Sequence, residues 1–288
     1  MSVLFLLALQ QWAMGQNTIL WKATDTVTHK TSYLLGTFHQ FGNSFVDSLP
    51  QIKASLLRSE LAVFESIDNI QDTQKRIQDR EATRDIEKAL NKKDLLRLRE
   101  ISKYWEVDLR KLAPFEIRFK LAQEFQKIKC GTTRPGDTFE NFDAYLIHLA
   151  KESKIGMRGL ETDSLQLSLL EKEYKNPKWR KEARMIRAWI NQLTTDRPRM
   201  DLCALADQYR RLDLDYDFAG ACENNILILQ RNRDWMKILP DLLRSTNTFV
   251  AVGYLHLMRQ CGLLEQLKRK GFTIVPISLK GEGKDGGK

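Results

Sequence analysis

The pattern Gly-x-x-His occurs twice in the 288-residue chain, at Gly36–His39 and at Gly253–His256. Each copy closes an apolar run, YLLGTFH in the first case and FVAVGYLH in the second. Glycine permits an unusual turn or a close backbone approach where a strand ends. Neutral imidazole is a common metal ligand and also a general base near neutral pH. Because the two histidines stand alike at two strand ends, we expect His39 and His256 to approach one another in one shared site.

Two glutamates end apolar runs in a similar way, Glu65 after LAVF and Glu161 at the end of MRGLE. A carboxylate at the end of a buried strand is costly unless it is paired, hydrogen-bonded, bound to a metal or lifted to the open edge of the sheet. An ion pair with a buried arginine is the purely structural alternative for each of them. Two histidines and one carboxylate form an open metal site. We therefore predict that His39, Glu65 and His256 bind a divalent cation, which would lower the pKa of bound water toward about 7.

Arg231 follows the apolar run NILILQ and is the candidate cationic group of this site. It could bind a substrate carboxylate or the oxyanion of a tetrahedral intermediate. A salt bridge to Glu65 or Glu161 that orients these carboxylates is the alternative, and we favour it because metal sites commonly need such support. Glu161 is the predicted general base, since a carboxylate that does not bind the metal can accept a proton from water. Trp235 is predicted to be a core residue.

The strands and helices around these residues form two similar units. A hairpin of strands at 18–24 and 32–38 precedes a helix opened by proline and a strand at 61–66. Near the other end, a strand at 248–254 precedes a helix and a strand at 272–278. Each unit reads strand, Gly-x-x-His, helix, strand, which implies parallel pairing. In open α/β sheets ligands bind beyond the carboxyl ends of the strands, where both motifs fall.

The fold prediction is an α/β protein with a central mixed sheet, two such units at the chain ends and a large helical insertion at about 70–245. A short strand is expected within KIGMRGLET, at 154–162. The protein is expected to be one domain over 16–280. The tail GEGKDGGK at 281–288 is flexible by composition.

Residues 1–15 are predicted to be a secretory signal peptide. The apolar block VLFLLAL is too short to span a bilayer, which needs about 20 apolar residues. Ala13-Met14-Gly15 then supplies small residues for cleavage before Gln16. The segment lacks a basic residue, so a buried first strand is the alternative. We expect a secreted or periplasmic protein with no membrane span.

The four cysteines (Cys130, Cys203, Cys222 and Cys261) are compatible with disulfides in an oxidising compartment. Buried free thiols are also possible, and the sequence does not choose among the three pairings. None of them forms a C-x-x-C motif, which excludes a zinc ribbon or a thioredoxin-type site.

The net charge of +9 does not predict a nucleic-acid partner. Lysine and arginine alternate with acidic residues, as in RDIEKALNKKDLLRLRE, which is typical of a solvated helix face. The chain also lacks G-x-S-x-G, Walker A and G-x-G-x-x-G sequences. This excludes common serine hydrolases, P-loop NTPases and the usual dinucleotide enzymes. The remaining histidines, His29 and His148, are predicted to be surface residues.

Six blocks together resemble the TraB/GumN family, which includes the Tiki-like metalloproteases and is similar to erythromycin-esterase-like and ChaN-like haem-binding proteins. The blocks are LWKAT, YLLGTFH, LAVFES, GLETDSLQ, RNRDW and FVAVGYLHL with the following GLLEQLKRKGFTIVPI. The resemblance covers nearly the whole chain beyond the predicted signal peptide. It implies that the family's site residues are His39, Glu65, Glu161, Arg231, Asn232 and His256, with Gly36 and Gly253 as structural residues. The glycine that follows the second motif in the family is delayed here to Gly262, so we expect a different loop after His256.

The expected function is an exported metal-dependent hydrolase, a peptidase that acts on a polypeptide substrate. The expected cofactor is a divalent cation, with Mn, Co and Zn as candidates. A non-catalytic extracytoplasmic protein that binds haem or another ligand in the same crevice is the alternative.

Overall fold

The computed structural model describes residues 17–68, 70–175 and 178–279. The predicted signal peptide at 1–15 and the predicted tail at 281–288 lie outside these ranges. Within them, no helix combines the length and the apolar character that a membrane span requires.

A six-stranded mixed sheet forms the centre of the fold and confirms the predicted α/β class. Its order is β4-β3-β5-β2-β1-β6. Four strands are parallel neighbours, and β1 is antiparallel to both β2 and β6. The strands are β1 (Leu20–Asp25), β2 (Thr31–Thr37), β3 (Leu61–Phe64), β4 (Gly156–Gly159), β5 (Thr248–Gly253) and β6 (Phe272–Pro276).

Helices surround the sheet and fill most of the segment between β3 and β5. They are α1 (Asn43–Asp47), α2 (Pro50–Leu57), α3 (Ile70–Gln78), α4 (Asp85–Ala89), α5 (Lys92–Ile101), α6 (Pro114–Ile128), α7 (Phe142–Glu152), α8 (Asp163–Glu173), α9 (Trp179–Thr194), α10 (Ala204–Arg210), α11 (Arg231–Trp235), α12 (Leu239–Ser245) and α13 (Leu263–Arg269). Short 3₁₀ turns cover Leu109–Lys111, Met200–Cys203 and Tyr254–Leu257, and a π-helical turn covers Ile226–Gln230.

The two predicted units do not pair their own strands, which corrects the expected parallel pairing. β5 lies between β2 and β3, while β1 and β2 separate β5 from β6. The physical reason lies in β5, whose residues 248–252 are all buried. A buried, nearly continuous apolar strand is stable between two parallel neighbours with helices over both faces of the sheet. Val250 accordingly stands opposite Leu34 of β2 and Val63 of β3.

This interleaved order brings the two Gly-x-x-His motifs together. Thr37 at the end of β2 is the register partner of Gly253 at the end of β5. On the other side of β5, Phe64 at the end of β3 pairs with Ala251. The carboxyl ends of three neighbouring strands thus meet at one edge of the sheet.

The middle of the chain is mostly helical, but it also contributes to the central sheet and its core. β4 comes from this segment and forms an edge of the sheet. Phe125, Phe142, Tyr209 and Trp235 also come from it and belong to the hydrophobic cluster that covers the sheet. A second cluster lies mainly among α4, α5, α6 and α9.

Two disulfides pair the cysteines as Cys130–Cys203 and Cys222–Cys261. The second bridge connects the loop that follows His256 with the segment that leads to Arg231. It therefore links two parts of the chain that contribute to the same edge of the sheet.

Candidate functional site

The space beside Gly253 is the point on which three predicted site residues converge. A Cβ atom at this position would lie 3.2 Å from Glu65 Oε1, 3.5 Å from His39 Nε2 and 3.6 Å from His256 Cδ2. The two imidazoles therefore lie well within about 10 Å, the separation beyond which bonds near 2 Å could not reach one metal. Gly253 leaves open the space that these three side chains border.

Gly36 serves a different purpose. A Cβ atom there would lie 2.9 Å from Tyr254 Cβ and 3.0 Å from Leu257 Cδ1. The absence of a side chain at Gly36 lets the 3₁₀ turn that carries His256 pack directly on β2.

His39 follows β2 and keeps 43% of its side-chain surface exposed. Its Nδ1 atom forms a very short hydrogen bond with Asp143 Oδ2, and Thr37 Oγ1 donates to the other carboxylate oxygen of Asp143 at 2.9 Å. Desolvation lowers the pKa of His39, but the charge and hydrogen bond of Asp143 reverse this effect and raise the pKa to about 9. The ring is held with Nε2 directed away from Asp143.

Asp143 stands in the first turn of α7, and sequence reasoning did not identify it. The helix begins there because the Asn141 side chain accepts from Ala144 N at 2.9 Å. The amide of Phe142 in turn donates to His39 O at 3.1 Å, which joins the helix start to the first motif. The sequence does show a polar residue at the start of a helix here. It does not show that Asp143 contacts His39, because 104 residues separate the two.

His256 lies in the 3₁₀ turn after β5, and its side chain is 3% exposed. Its Nδ1 atom lies 2.6 Å from Asn232 Oδ1, while Asn232 Nδ2 donates to the backbone oxygens of His256 and Cys261 at 3.0 and 2.9 Å. Because the amide nitrogen of Asn232 faces two carbonyls, its oxygen faces the ring and Nδ1 must be the donor. Burial lowers the pKa of His256 to about 3. The ring is therefore neutral and keeps a lone pair on Nε2.

The guanidinium of Arg231 binds the groups on the buried side of the site. Nη2 bonds Glu65 Oε2 at 2.5 Å, Nε donates to Glu161 Oε1 at 2.8 Å, and Nη1 lies 3.1 Å from His256 Nε2. Arg231 thus bridges both glutamates, in the orienting arrangement that the sequence favoured. Its guanidinium also lies 4.7 Å from the centre of the Trp235 ring.

Glu65 is ionised in this environment. Burial raises its pKa, but the charges of Arg231 and protonated His39 and the hydrogen bond from Gly253 N more than offset this effect and lower the pKa to about 2. Its second oxygen, Oε1, accepts from Gly253 N at 2.7 Å. Glu65 therefore places negative charge between the two histidines.

Glu161 is more enclosed than Glu65, with 3% of its side chain exposed. Arg231 bonds one of its oxygens, and Trp235 Nε1 donates to the other at 3.1 Å. Trp235 is buried as predicted, and this bond gives it a polar contact that sequence reasoning missed. Each Glu161 oxygen thus has a hydrogen-bond partner, and the enclosure of the side chain leaves little room for a water molecule.

The other histidines lie away from this site. His29 is exposed, as predicted. His148 is half-buried at the surface and packs against Phe139 with ring centres 4.8 Å apart. Phe139 lies in the loop before α7 and contacts this ring.

Two clefts meet at the site and share His39, Gln40 and Glu65 in their walls. The apolar cleft has a volume of about 300 Å³ and is lined beyond the site by Phe38, Leu205, Leu227, Ile228, Tyr254 and Leu255. The polar cleft has a volume of about 610 Å³ and is lined mainly by polar side chains that include Gln123, Lys127, Thr138, Glu140, Asn141 and Gln166. Apart from the three shared residues, the two clefts are lined by different side chains.

The imidazole nitrogens of His39 and His256 and the carboxylate of Glu65 are suitable ligands for a divalent cation. In this structure, Arg231 forms hydrogen bonds with Glu65 and His256. Within residues 17–68, 70–175 and 178–279, no three His, Cys, Asp or Glu groups stand ready to hold a metal ion. His39 and His256 each have Nδ1 fixed by a neighbour, which is how metal-binding histidines are usually oriented. Glu65 adds the carboxylate. A cation bound by all three would take over contacts with Glu65 and His256 that Arg231 makes here.

The comparisons with known proteins gave one family. The model described as the TraB/PrgY/gumN family matches residues 19–276. This range contains every residue of the site described above. The comparisons with curated proteins and with solved structures gave no match.

Proposed function

Because the chain belongs to the TraB/PrgY/gumN family, we propose that it is a metal-dependent hydrolase and that its substrates are polypeptides. The observation that carries this proposal is the convergence of His39, Glu65 and His256 on the open space beside Gly253. Two imidazoles and an ionised carboxylate are the donor set of an open metal site, with positions left for water and substrate.

His39, Glu65 and His256 would hold the divalent cation, with Mn, Co and Zn as candidates. When bound, such a cation supplies Lewis-acid polarisation of a carbonyl and a water of lowered pKa. Asp143 and Asn232 fix the two rings from behind by their contacts with Nδ1. This orientation directs both Nε2 atoms into the site, and His39 would release its proton on binding the cation.

Arg231 would stabilise negative charge that develops on the substrate. Its guanidinium is buried beside the donor atoms and lines the apolar cleft, where a tetrahedral oxyanion would be poorly solvated. Glu161 holds Nε of Arg231 in place and is itself held by Trp235. We therefore assign Glu161 an orienting role, and its predicted role as general base would require water to reach this enclosed side chain.

A polypeptide fits the shape of the site. The apolar and polar clefts share His39, Gln40 and Glu65 and are otherwise lined by different residues. An extended chain could therefore pass the reactive groups with residues bound on both sides. A compact small ligand would need only one of these clefts.

The proposal includes an extracytoplasmic location. All four cysteines of the chain form disulfides, a use of cysteine typical of oxidising compartments. The predicted signal peptide at 1–15 supports the same location.

The test combines metal analysis with an assay of proteolysis. The chelated protein is reconstituted separately with Mn, Co and Zn, bound metal is measured by mass spectrometry, and cleavage of an unfolded protein substrate is followed. We expect His39→Ala, His256→Ala and Glu65→Gln to lose both metal and activity. Glu161→Gln should keep the metal and lose activity, because Arg231 is no longer held by a charged partner.

His148→Ala is the matched control and should keep both metal and activity, since this ring lies outside the site. Unchanged metal content in the His39, His256 and Glu65 variants would remove the metal site. Metal binding without cleavage of any substrate would favour the ligand-binding alternative, for which a Soret band after addition of haem is the specific sign.

A further inference from the structure

Two exposed leucines line the apolar cleft. Leu205 in α10 is 42% exposed and Leu255 in the 3₁₀ turn is 49% exposed. Single exposed leucines are common on protein surfaces. These two, however, come from separate elements and line the same cleft as His39, Glu65 and His256.

The second Gly-x-x-His motif itself supplies one of them. Leu255 precedes His256 as Phe38 precedes His39, but Phe38 is only 9% exposed and packs with aromatic neighbours. The corresponding position of the second motif therefore presents a large apolar side chain to the cleft. Packing explains Phe38, whereas Leu255 remains half exposed next to the candidate catalytic centre.

The remaining wall of the apolar cleft has the same chemistry. Leu227 and Ile228 of the π-helical turn are half-buried and complete it beside Arg231. The ionisable groups of this cleft belong to the site itself, namely His39, Glu65, Arg231 and His256. The polar cleft, in contrast, contains Lys127, Glu140 and Asp163 besides several amides and hydroxyls.

We infer that the apolar cleft is a specificity subsite that receives a bulky apolar side chain of a polypeptide, next to the bond presented to His39, Glu65 and His256. The rest of the peptide lies in the polar cleft, where Phe64, Phe139 and Ile147 stand among a larger number of hydrogen-bonding side chains. Burial of an aliphatic side chain against Leu205, Leu227, Ile228 and Leu255 drives this selection. The inference rests on the proposed function for the position of the cleaved bond, but the binding preference does not require turnover.

Peptide binding to the chelated protein tests the subsite, because no cleavage occurs without the metal. Two fluorescent peptides of equal length are compared by anisotropy, one with Leu and one with Ser at the central position of an otherwise Gly/Ser sequence. We expect the Leu peptide to bind about tenfold more tightly, less than complete burial of a leucine would give, because the cleft is partly open.

Leu205→Asp and Leu255→Asp should each remove most of this preference. Leu57→Asp is the matched control, since Leu57 is 50% exposed at the end of α2 and lines neither cleft. Leu205 lies outside the Gly-x-x-His motifs, so its variant separates the subsite from any disturbance of His256. Equal or undetectable binding of both peptides, or an intact preference in Leu205→Asp, overturns the inference.

Cleavage distinguishes failure of the subsite from failure of the proposed function. The same two peptides are incubated with protein reconstituted with Mn, Co or Zn, and the products are identified by mass spectrometry. Selective binding of the Leu peptide without cleavage by any of the three forms retains the subsite and contradicts the hydrolase. Cleavage of both peptides at equal rates, combined with equal binding, supports the hydrolase and removes the subsite.

Discussion

The two Gly-x-x-His motifs are alike in sequence but place their histidines in opposite environments. His39 has a 43% exposed side chain and a carboxylate behind its ring, and its pKa is raised to about 9. His256 is 3% exposed and has the Asn232 amide behind its ring, and burial lowers its pKa to about 3. One histidine is a protonated group at the mouth of the clefts, and the other is a neutral group in the core.

The difference shows that a repeated motif fixes position more strictly than chemistry. Both motifs place an imidazole beyond the carboxyl end of a strand, at the same edge of the sheet. Asp143 of α7 then keeps the His39 ring protonated, whereas burial keeps the His256 ring neutral beside Asn232 of α11. A site with one neutral and one protonated histidine is unsymmetrical before any ligand binds.

The largest expected effect concerns Arg231, which contacts the buried half of the site. Arg231→Met leaves Glu65 and Glu161 without their cation, and breaking a buried ion pair costs about 3–5 kcal/mol. We expect a loss of this size in the free energy of unfolding, measured with urea on the chelated protein. Arg199→Met is the control, because its partner Asp201 and Arg199 itself are both highly exposed, and it should change stability by less than about 1 kcal/mol. Equal losses in the two variants would contradict the pairing.

The second effect compares the two histidines directly. His256→Ala leaves the buried Asn232 oxygen without its donor and opens a cavity beside Trp235, so we expect a loss of about 2–4 kcal/mol in the free energy of unfolding. His39→Ala removes a partly exposed ring whose ion pair with Asp143 is screened by solvent, and Asp143 keeps its bond from Thr37, so the loss should be about 1 kcal/mol. Urea denaturation of both chelated variants at neutral pH measures the difference. Similar losses would mean that the two environments are equivalent after all.

The smallest expected effect is the pH dependence that Asp143 gives to the chelated protein. Folding raises the pKa of His39 from 6.5 to about 9, so its protonated form stabilises the folded chain. This contribution is complete below about pH 6.5 and is lost as the pH rises through about 9. Asp143→Asn should remove it and return the His39 titration, followed by NMR, toward its ordinary range. A stability profile that is the same in the wild type and in Asp143→Asn across this pH interval would disprove the assignment.

Local patterns in the sequence predicted the elements and the approximate position of the site. Apolar runs gave the strands at both chain ends, because burial in a sheet requires them to be nearly continuous. The glycines and histidines that follow them, with Glu65 at the end of a third run, identified the edge at which the structure brings these residues together. Arg231 was also predicted as a partner of Glu65 or Glu161, since a buried carboxylate needs compensation.

Only the tertiary structure decided the strand order, the partners of the histidines and the pairing of the cysteines. β5 enters between β2 and β3 although about two hundred residues separate it from them in the sequence, and periodicity contains no information on such pairing. Asp143 meets His39 across 104 residues, and Asn232 meets His256 because α11 packs beside the 3₁₀ turn. These contacts form between groups that are neighbours only after folding. The sequence therefore determined that His39, Glu65 and His256 reach the site. The packing of distant helices determined the charges of the two histidines.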